Sequence, residues 1–253
     1  MATHALIAVL LALGMVSCAR EGLMMEQVVT GPETNCYLVY DPGTRDAALV
    51  DVAGPIEPLL ATIDSKNLNL RYFLFTHGHF DHVMGLPAIR DRFPDAAVCM
   101  HRLDFDDMAI QRDWALTNFD PEFIEQLRKD PEDAKLFEFD YTTFGVPDIF
   151  VTDGQELEFA GRKIRVLHSP GHSPGGVCYY VGRMLFSGDV LFRDSVGRVD
   201  VLNSSRDDQI ASVRRLYREL PDDTRVYPGH GPATTIGREK QENTRITENQ
   251  VFL

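Results

Sequence analysis

The chain has 253 residues, 44% of them hydrophobic and 25% charged, enough to bury a full core. Its net charge of −13 excludes the basic face that a nucleic-acid binder turns toward phosphates, so a small-molecule substrate is expected and no nucleic acid. Its cysteines, Cys18, Cys36, Cys99 and Cys178, show no C-x-x-C spacing, which excludes a zinc knuckle or a dithiol redox pair.

Residues 5–16 (ALIAVLLALGMV) form an apolar run too short to span a bilayer, followed by Ser17, Cys18 and Ala19. Residues 1–24 therefore read either as an export leader or as a non-native start ahead of Met24 or Met25. In the first case Met15-Val16-Ser17-Cys18 resembles a lipoprotein box, and lipidated Cys18 is the one expected contact with a membrane. The absence of Lys and Arg before the run counts against a signal. An exported, periplasmic or lipid-anchored protein follows from the first reading and a cytoplasmic one from the second. Residues 25–253 are expected to form one domain.

Short apolar runs at 27–29, 36–40 and 47–52, separated by Gly31-Pro32 and Asp41-Pro42-Gly43, predict consecutive antiparallel strands. A helix is predicted over 55–66, with Ile56, Leu59, Leu60 and Ile63 on one face, and a buried strand over 71–75. A helix over 84–93 and a strand over 96–100 follow. Residues 102 to about 145 read as a helical insertion. From Asp104 to Asp140 twelve carboxylates face four bases (Arg112, Arg128, Lys129, Lys135), a local charge of −8 that fits a solvated surface. Strands are expected at 149–151, 156–159, 164–167, 177–181, 184–186 and 224–227. A helix over 206–220 opens on Ser205 with Asp208 three residues on, a capping-box spacing. Strand and helix layers on both sides of the chain's middle imply a sandwich with helices outside.

Thr76-His77-Gly78-His79-Phe80-Asp81-His82 directly follows an apolar run. Buried imidazoles and carboxylates are costly unless paired, so such a cluster does not serve strand packing. On a loop at a strand end it can converge on a cation, and a thiolate-free set of imidazole and carboxylate suits zinc, iron or manganese. His172 (in Pro170-Gly171-His172), Asp189 (in Gly188-Asp189) and His230 (in Pro228-Gly229-His230) each come soon after another apolar run and follow a glycine. Four strand ends then point loops at one place.

The histidine-rich loop, Pro-Gly-His, Gly-Asp and second Pro-Gly-His, in this order, resemble the metallo-β-lactamase superfamily over roughly residues 26–240. The resemblance implies an α/β protein, a four-layer αββα sandwich. It also implies two divalent metal ions, zinc first, with iron or manganese as alternatives. His77, His79 and His172 would hold one ion and Asp81, His82 and His230 the other, with Asp189 bridging. Two such ions about 3.5–4 Å apart bring a shared water toward neutral pKa for attack on a carbonyl or phosphoryl centre. The resemblance implies Asp81 and Asp189 as the catalytic carboxylates, Asp81 as ligand and water-orienter. His101 and His168 are expected to shape neighbouring loops, and His4 lies in the leader.

Within the superfamily, a bridging aspartate at 189 differs from the cysteine or serine of class B β-lactamases, and His79 differs from the glutamate of flavodiiron proteins. Asn35-Cys36-Tyr37-Leu38-Val39, Gly188-Asp189-Val190-Leu191-Phe192, Ser195-Val196-Gly197-Arg198 and Pro228-Gly229-His230-Gly231-Pro232 are similar to short members of the glyoxalase II-like (hydroxyacylglutathione hydrolase-like) group. That implies thioester hydrolysis, with S-lactoylglutathione as reference substrate. The chain departs from the full-length enzymes in stopping soon after His230. It also carries Arg198 and Asp200 where they have a lysine and a nearby tyrosine for the tripeptide. Arg198 is expected either to grip a substrate carboxylate or to form a surface ion pair. Trp114, Phe119 and Phe123 either face substrate from a lid or form the insertion's own small core. Alternatives are a mononuclear-iron persulfide dioxygenase using His77, His172 and Asp189, a hydrolase of another ester or phosphoester, and a protein whose metals only hold the fold.

Overall fold

The computed structural model describes residues 22–251 apart from 32, 130, 132 and 133, so most of the expected leader lies outside the described residues. No helix among the described residues is long and apolar enough to cross a membrane. Six strands form the first sheet in sequence order: β1 (Met24–Thr30), β2 (Thr34–Tyr40), β3 (Asp46–Val50), β4 (Asn69–Leu74), β5 (Ala97–His101) and β6 (Ile149–Val151). The tight turns between β1, β2 and β3 make them antiparallel, as expected. The longer crossovers after β3 make β3 to β6 parallel.

The second half continues with β7 (Glu156–Phe159), β8 (Arg162–His168), β9 (Val177–Val181), β10 (Met184–Gly188), β11 (Leu191–Phe192), β12 (Ser195–Val196), β13 (Arg225–Pro228) and β14 (Thr234–Thr235). The second sheet runs β14-β13-β10-β9-β8-β7, with β11 and β12 as a separate hairpin. Helices fill the connections: α1 (Glu57–Ser65), α2 (Phe80–Val83), α3 (Leu86–Ile89), α4 (Arg102–Met108), α5 (Gln111–Asn118), α6 (Pro121–Leu127), α7 (Lys135–Glu138), α8 (Arg206–Glu219) and α9 (Ile236–Glu242).

Strand alternation sorts the apolar side chains into three layers. Tyr37, Val39, Val50 and Leu74 of the first sheet meet Ile164, Val166, Tyr179 and Phe186 of the second in the middle layer. Leu38, Leu49 and Phe73 point outward onto Leu59, Ile63, Val83 and Leu86. On the other side Leu185, Cys178 and Val226 pack on Val213, Leu216, Tyr217 and Ile236. This is the αββα sandwich expected from the sequence. Cys36, Cys99 and Cys178 are fully buried within these layers, as small hydrophobes. Each large apolar side chain so buried contributes about 1.5–3 kcal/mol of transfer free energy.

The helix expected over 84–93 is broken. α2 stops at Val83 just before it, and its place is taken by α3 and then a 3-10 turn over Arg90–Arg92. Gly85 causes the break: its amide donates to the Val52 carbonyl (2.8 Å), and a Cβ there would lie 2.6 Å from the Ala53 carbonyl oxygen. Pro87 then sits in the first turn of α3, where its missing N–H is harmless. The Ser205 cap forms on one side only: its hydroxyl accepts from the Asp208 amide (3.3 Å), while its own amide donates to the Gly171 carbonyl (2.7 Å). That second bond ties the head of α8 to the turn preceding His172.

Candidate metal centre

The C-terminal ends of β3, β4, β8, β10 and β13 lie at one rim of the sandwich. The loops leaving four of them deliver every ligand expected from the sequence. His77, His79, Asp81 and His82 follow β4, His172 follows β8, Asp189 follows β10 and His230 follows β13. Three groups have donor atoms within 4.8 Å of one another: His77, His79 and His172; His77, His82 and Asp189; and Asp81, His82 and His230. His172 Nε2 is 2.8 Å from His79 Nδ1 and 3.5 Å from Asp189 Oδ2. His230 Nε2 is 3.3 Å from Asp81 Oδ2 and 3.7 Å from Asp189 Oδ2, while His82 Nε2 is 3.6 Å from Asp189 Oδ1. Asp189 therefore faces both halves of the cluster.

Hydrogen bonds behind the cluster fix the imidazole protons. His82 Nδ1 donates to Asp51 Oδ2 (2.8 Å), His172 Nδ1 to the Arg198 carbonyl (2.8 Å) and His230 Nδ1 to the Glu33 carbonyl (3.1 Å). Thr76 Oγ1 spends its proton on Asp51 Oδ2 (2.8 Å), so it accepts from His77 Nδ1 (3.0 Å). With Nδ1 so engaged, Nε2 is the nitrogen that each of these four imidazoles turns inward, bare once any second proton has left, as a cation needs. His77 Nε2 and Asp189 Oδ1 are buried with no hydrogen-bond partner. Two orphaned acceptors facing the same space are costly unless a positive charge comes between them.

The electrostatics agree. Burial, then the crowd of neighbouring imidazoles, pushes His77 well below the usual histidine range. Burial and His172 push His79 down to about 3, and burial with His82 pushes His172 to about 4. Burial also opposes the charge on His82, but the carboxylates of Asp81, Asp51 and Asp189 outweigh it and raise His82 to about 10. For Asp81, burial favours the neutral form, yet His82 and His230 hold its carboxyl below the usual range. Neutral His77, His79 and His172 on one side and the ionised Asp81 carboxylate on the other suit cations, which displace the proton on His82.

Close packing holds the loops. A Cβ on Gly229 would lie 2.3 Å from Asp189 Oδ1 and 2.7 Å from His82 Cε1, so only glycine lets the β13 turn approach. Asn35 Nδ2 donates to the carbonyls of Pro228 (2.9 Å) and Gly231 (2.8 Å), and Tyr37 Oη donates to the Pro228 carbonyl (2.7 Å). The Asn35-Cys36-Tyr37 segment thus steadies the turn that carries His230.

Three structural anchors escaped the sequence reading. Asp51 binds His82 and accepts from the Thr76 amide (2.8 Å). It follows the apolar run of β3 as the ligands follow theirs, a signal present but not used. Asp104, buried in α4, accepts from the Gly78 amide (2.9 Å), Ser173 Oγ (2.8 Å) and the Gly175 amide (2.5 Å), joining both ligand loops; burial raises its carboxyl to about 6. Gln209, buried in α8, accepts from the His172 amide (2.9 Å) and donates to the Val190 carbonyl (2.7 Å). Their sequence neighbourhoods carry no mark of either role. His101 and His168 stack face to face with ring centroids 4.3 Å apart, and His168 Nε2 donates to the Pro174 carbonyl (3.0 Å) in the His172 loop.

A cavity of about 480 Å³ opens over the cluster, within the range of small-molecule sites. His79, Asp81, His172, Asp189 and His230 form its floor, while Trp114, Phe119 and Phe123 of α5, α6 and their connection wall one side. These aromatics also contact one another edge to face (Trp114–Phe119 and Phe119–Phe123, both 5.4 Å), so the three rings line the cavity as one packed group, with Phe123 left exposed. Arg198 lines the cavity but pairs with Asp200 through Nε (2.6 Å) and Nη2 (2.9 Å).

A helix-flanked double sheet with a histidine and aspartate cage at its strand ends is the architecture of a metal-dependent hydrolase. The family model described as "Metallo-beta-lactamase superfamily" matches residues 29–230, and the chain belongs to that superfamily. Hydroxyacylglutathione hydrolase GloC of Haemophilus influenzae is 33% identical over 218 residues, 85% of this chain and 93% of that protein. Among solved structures, the B3 metallo-beta-lactamase BLEG-1 aligns with a TM-score of 0.69 and 34% identity, covering 87% of this chain and 98% of that one. TTHA1623 in a di-iron-bound form aligns with a TM-score of 0.66 and 34% identity, covering 86% and 98%.

Proposed function

We propose that this metallo-hydrolase is a binuclear thioester hydrolase of the hydroxyacylglutathione hydrolase type, acting on acyl thioesters with S-lactoylglutathione as the reference. The observation that carries the reading is the double cage, with His77 Nε2 and Asp189 Oδ1 both orphaned inside it. His77, His79 and His172 would hold one cation, Asp81, His82 and His230 the other, and Asp189 would span them. The donor set is all nitrogen and oxygen, which fits zinc, iron or manganese. The likeness to GloC supports the substrate class, and the di-iron relative keeps iron beside zinc as the metal.

When bound, paired divalent cations supply an acidified water as nucleophile and Lewis acidity toward a carbonyl oxygen. The chain's own part is to turn imidazole Nε2 atoms inward through Asp51, Thr76 and the carbonyls of Arg198 and Glu33. Asp81 stays ionised beside Asp189 on the cavity floor, where Asp81 Oδ2 can orient a nucleophile's proton. The apolar wall excludes bulk water from the reacting carbonyl, and a thiolate leaving group needs little protonation.

The test is a hydrolysis screen on the purified chain with metal content measured in parallel. Acyl thioesters, a phosphodiester and a cephalosporin form the panel, the last because a similar structure is a B3 metallo-beta-lactamase. Turnover of thioesters with two ions per chain is expected. A single iron per chain with oxygen uptake on glutathione persulfide favours the dioxygenase alternative instead.

A further inference from the structure

Resting on the thioester-hydrolase reading, we infer that this site is built for uncharged thioesters bearing an aryl or alkyl group, and discriminates against the glutathione conjugate. Trp114, Phe119, Phe123, Phe192, Val201 and Leu202 line the cavity above the metal-ligand floor. A glutathione thioester brings two carboxylates and an ammonium, and the carboxylates need cationic or N–H partners once desolvated. Arg198 is the one Lys or Arg that lines the cavity among the described residues, and Asp200 occupies two of its donors in a side-on pair. The Arg198 guanidinium also lies 5.8 Å from the centre of the Phe119 ring, so it closes the apolar wall as much as it offers charge.

The surroundings act in the same direction. Residues 104–140, which carry Trp114, Phe119 and Phe123, hold twelve carboxylates against four bases in the sequence, and among the described residues none of those bases lines the cavity to meet an anionic substrate. An uncharged substrate needs no such partner, and its ring or alkyl chain gains the free energy of leaving water against aromatic faces.

The experiment compares kcat/KM for S-lactoylglutathione, S-lactoyl-N-acetylcysteamine and S-benzoyl-N-acetylcysteamine on the metal-loaded full chain. The benzoyl thioester is expected to exceed S-lactoylglutathione by on the order of tenfold or more. The lactoyl thioester of the neutral thiol separates the effect of removing the tripeptide's charge from that of adding the ring. Phe119→Ala should narrow the benzoyl to lactoylglutathione ratio by lowering the first. Asp200→Asn, which frees Arg198, should narrow it by raising the second; a general folding defect lowers both alike and leaves the ratio in place. Turnover of S-lactoylglutathione equal to or above that of the benzoyl thioester overturns the inference and leaves the thioester-hydrolase reading standing. Failure to cleave any thioester overturns both.

Discussion

Replacing Asp51 with asparagine isolates the role of hydrogen bonds behind the cage, because Asp51 is no ligand and is buried. Its backbone has φ of +55°, a conformation that asparagine also tolerates, so the main chain is left in place. Oδ1 accepts from the Thr76 amide, and Oδ2 accepts from both Thr76 Oγ1 and His82 Nδ1. An amide group offers one oxygen, so whichever way it turns at least one of these donors meets an NH2. If that donor is His82 Nδ1, the ring proton moves to Nε2 and the nitrogen facing the cavity can no longer bind a cation. Loss of such a partner lowers metal affinity by about 10–100-fold, and an unsatisfied buried donor costs about 1–3 kcal/mol of stability. Competition against a chromogenic chelator reads the first quantity and chemical unfolding in EDTA reads the second. An Asp51→Asn protein with parental metal affinity would refute the idea that this carboxylate sets the His82 tautomer.

His79→Ala and Asp189→Ala should each abolish turnover and lower bound metal, read by metal analysis of the purified variants; retained activity in either removes that residue from the ligand set. Gly229→Ala drives a methyl into Asp189 and His82, and the resulting ångström-scale displacement should lower kcat by on the order of a hundredfold with circular dichroism unchanged. Metal uptake at pH 7 should release protons, because Asp81, Asp51 and Asp189 keep metal-free His82 protonated up to about pH 10 and a ligand must be neutral. Affinity therefore rises with pH across the neutral range, and calorimetry in buffers of different ionisation enthalpy counts the protons; uptake without release contradicts a charged His82.

The clustering was legible in the sequence because each candidate ligand follows an apolar run and a glycine or lies in one histidine-rich loop, and such runs end at the same rim once strands pair. The sandwich was legible because strand and helix patterns alternate on both sides of the chain's middle, whereas the division of Tyr37, Leu38 and Val39 between inner and outer layers shows only in the fold. Asp104 and Gln209 were not legible. They sit in helices whose pattern reads as ordinary surface polarity, and only tertiary packing turns them toward the loops of His77 and His172. The break in the helix expected over 84–93 was hidden similarly, because Gly85 acts through contact with Val52 and Ala53 from another connection. The state of Arg198 required coordinates as well: two residues apart in sequence, it and Asp200 were free to point elsewhere.

The seven cage residues divide by sheet, with His77, His79, Asp81 and His82 leaving the first and His172, Asp189 and His230 the second. Any ion they share is consequently a rivet between two leaves of the molecule. Stripping it should loosen both leaves together, so that amides in β4 and β10 exchange with deuterium at converging rates in chelator and slow down in concert when metal is restored.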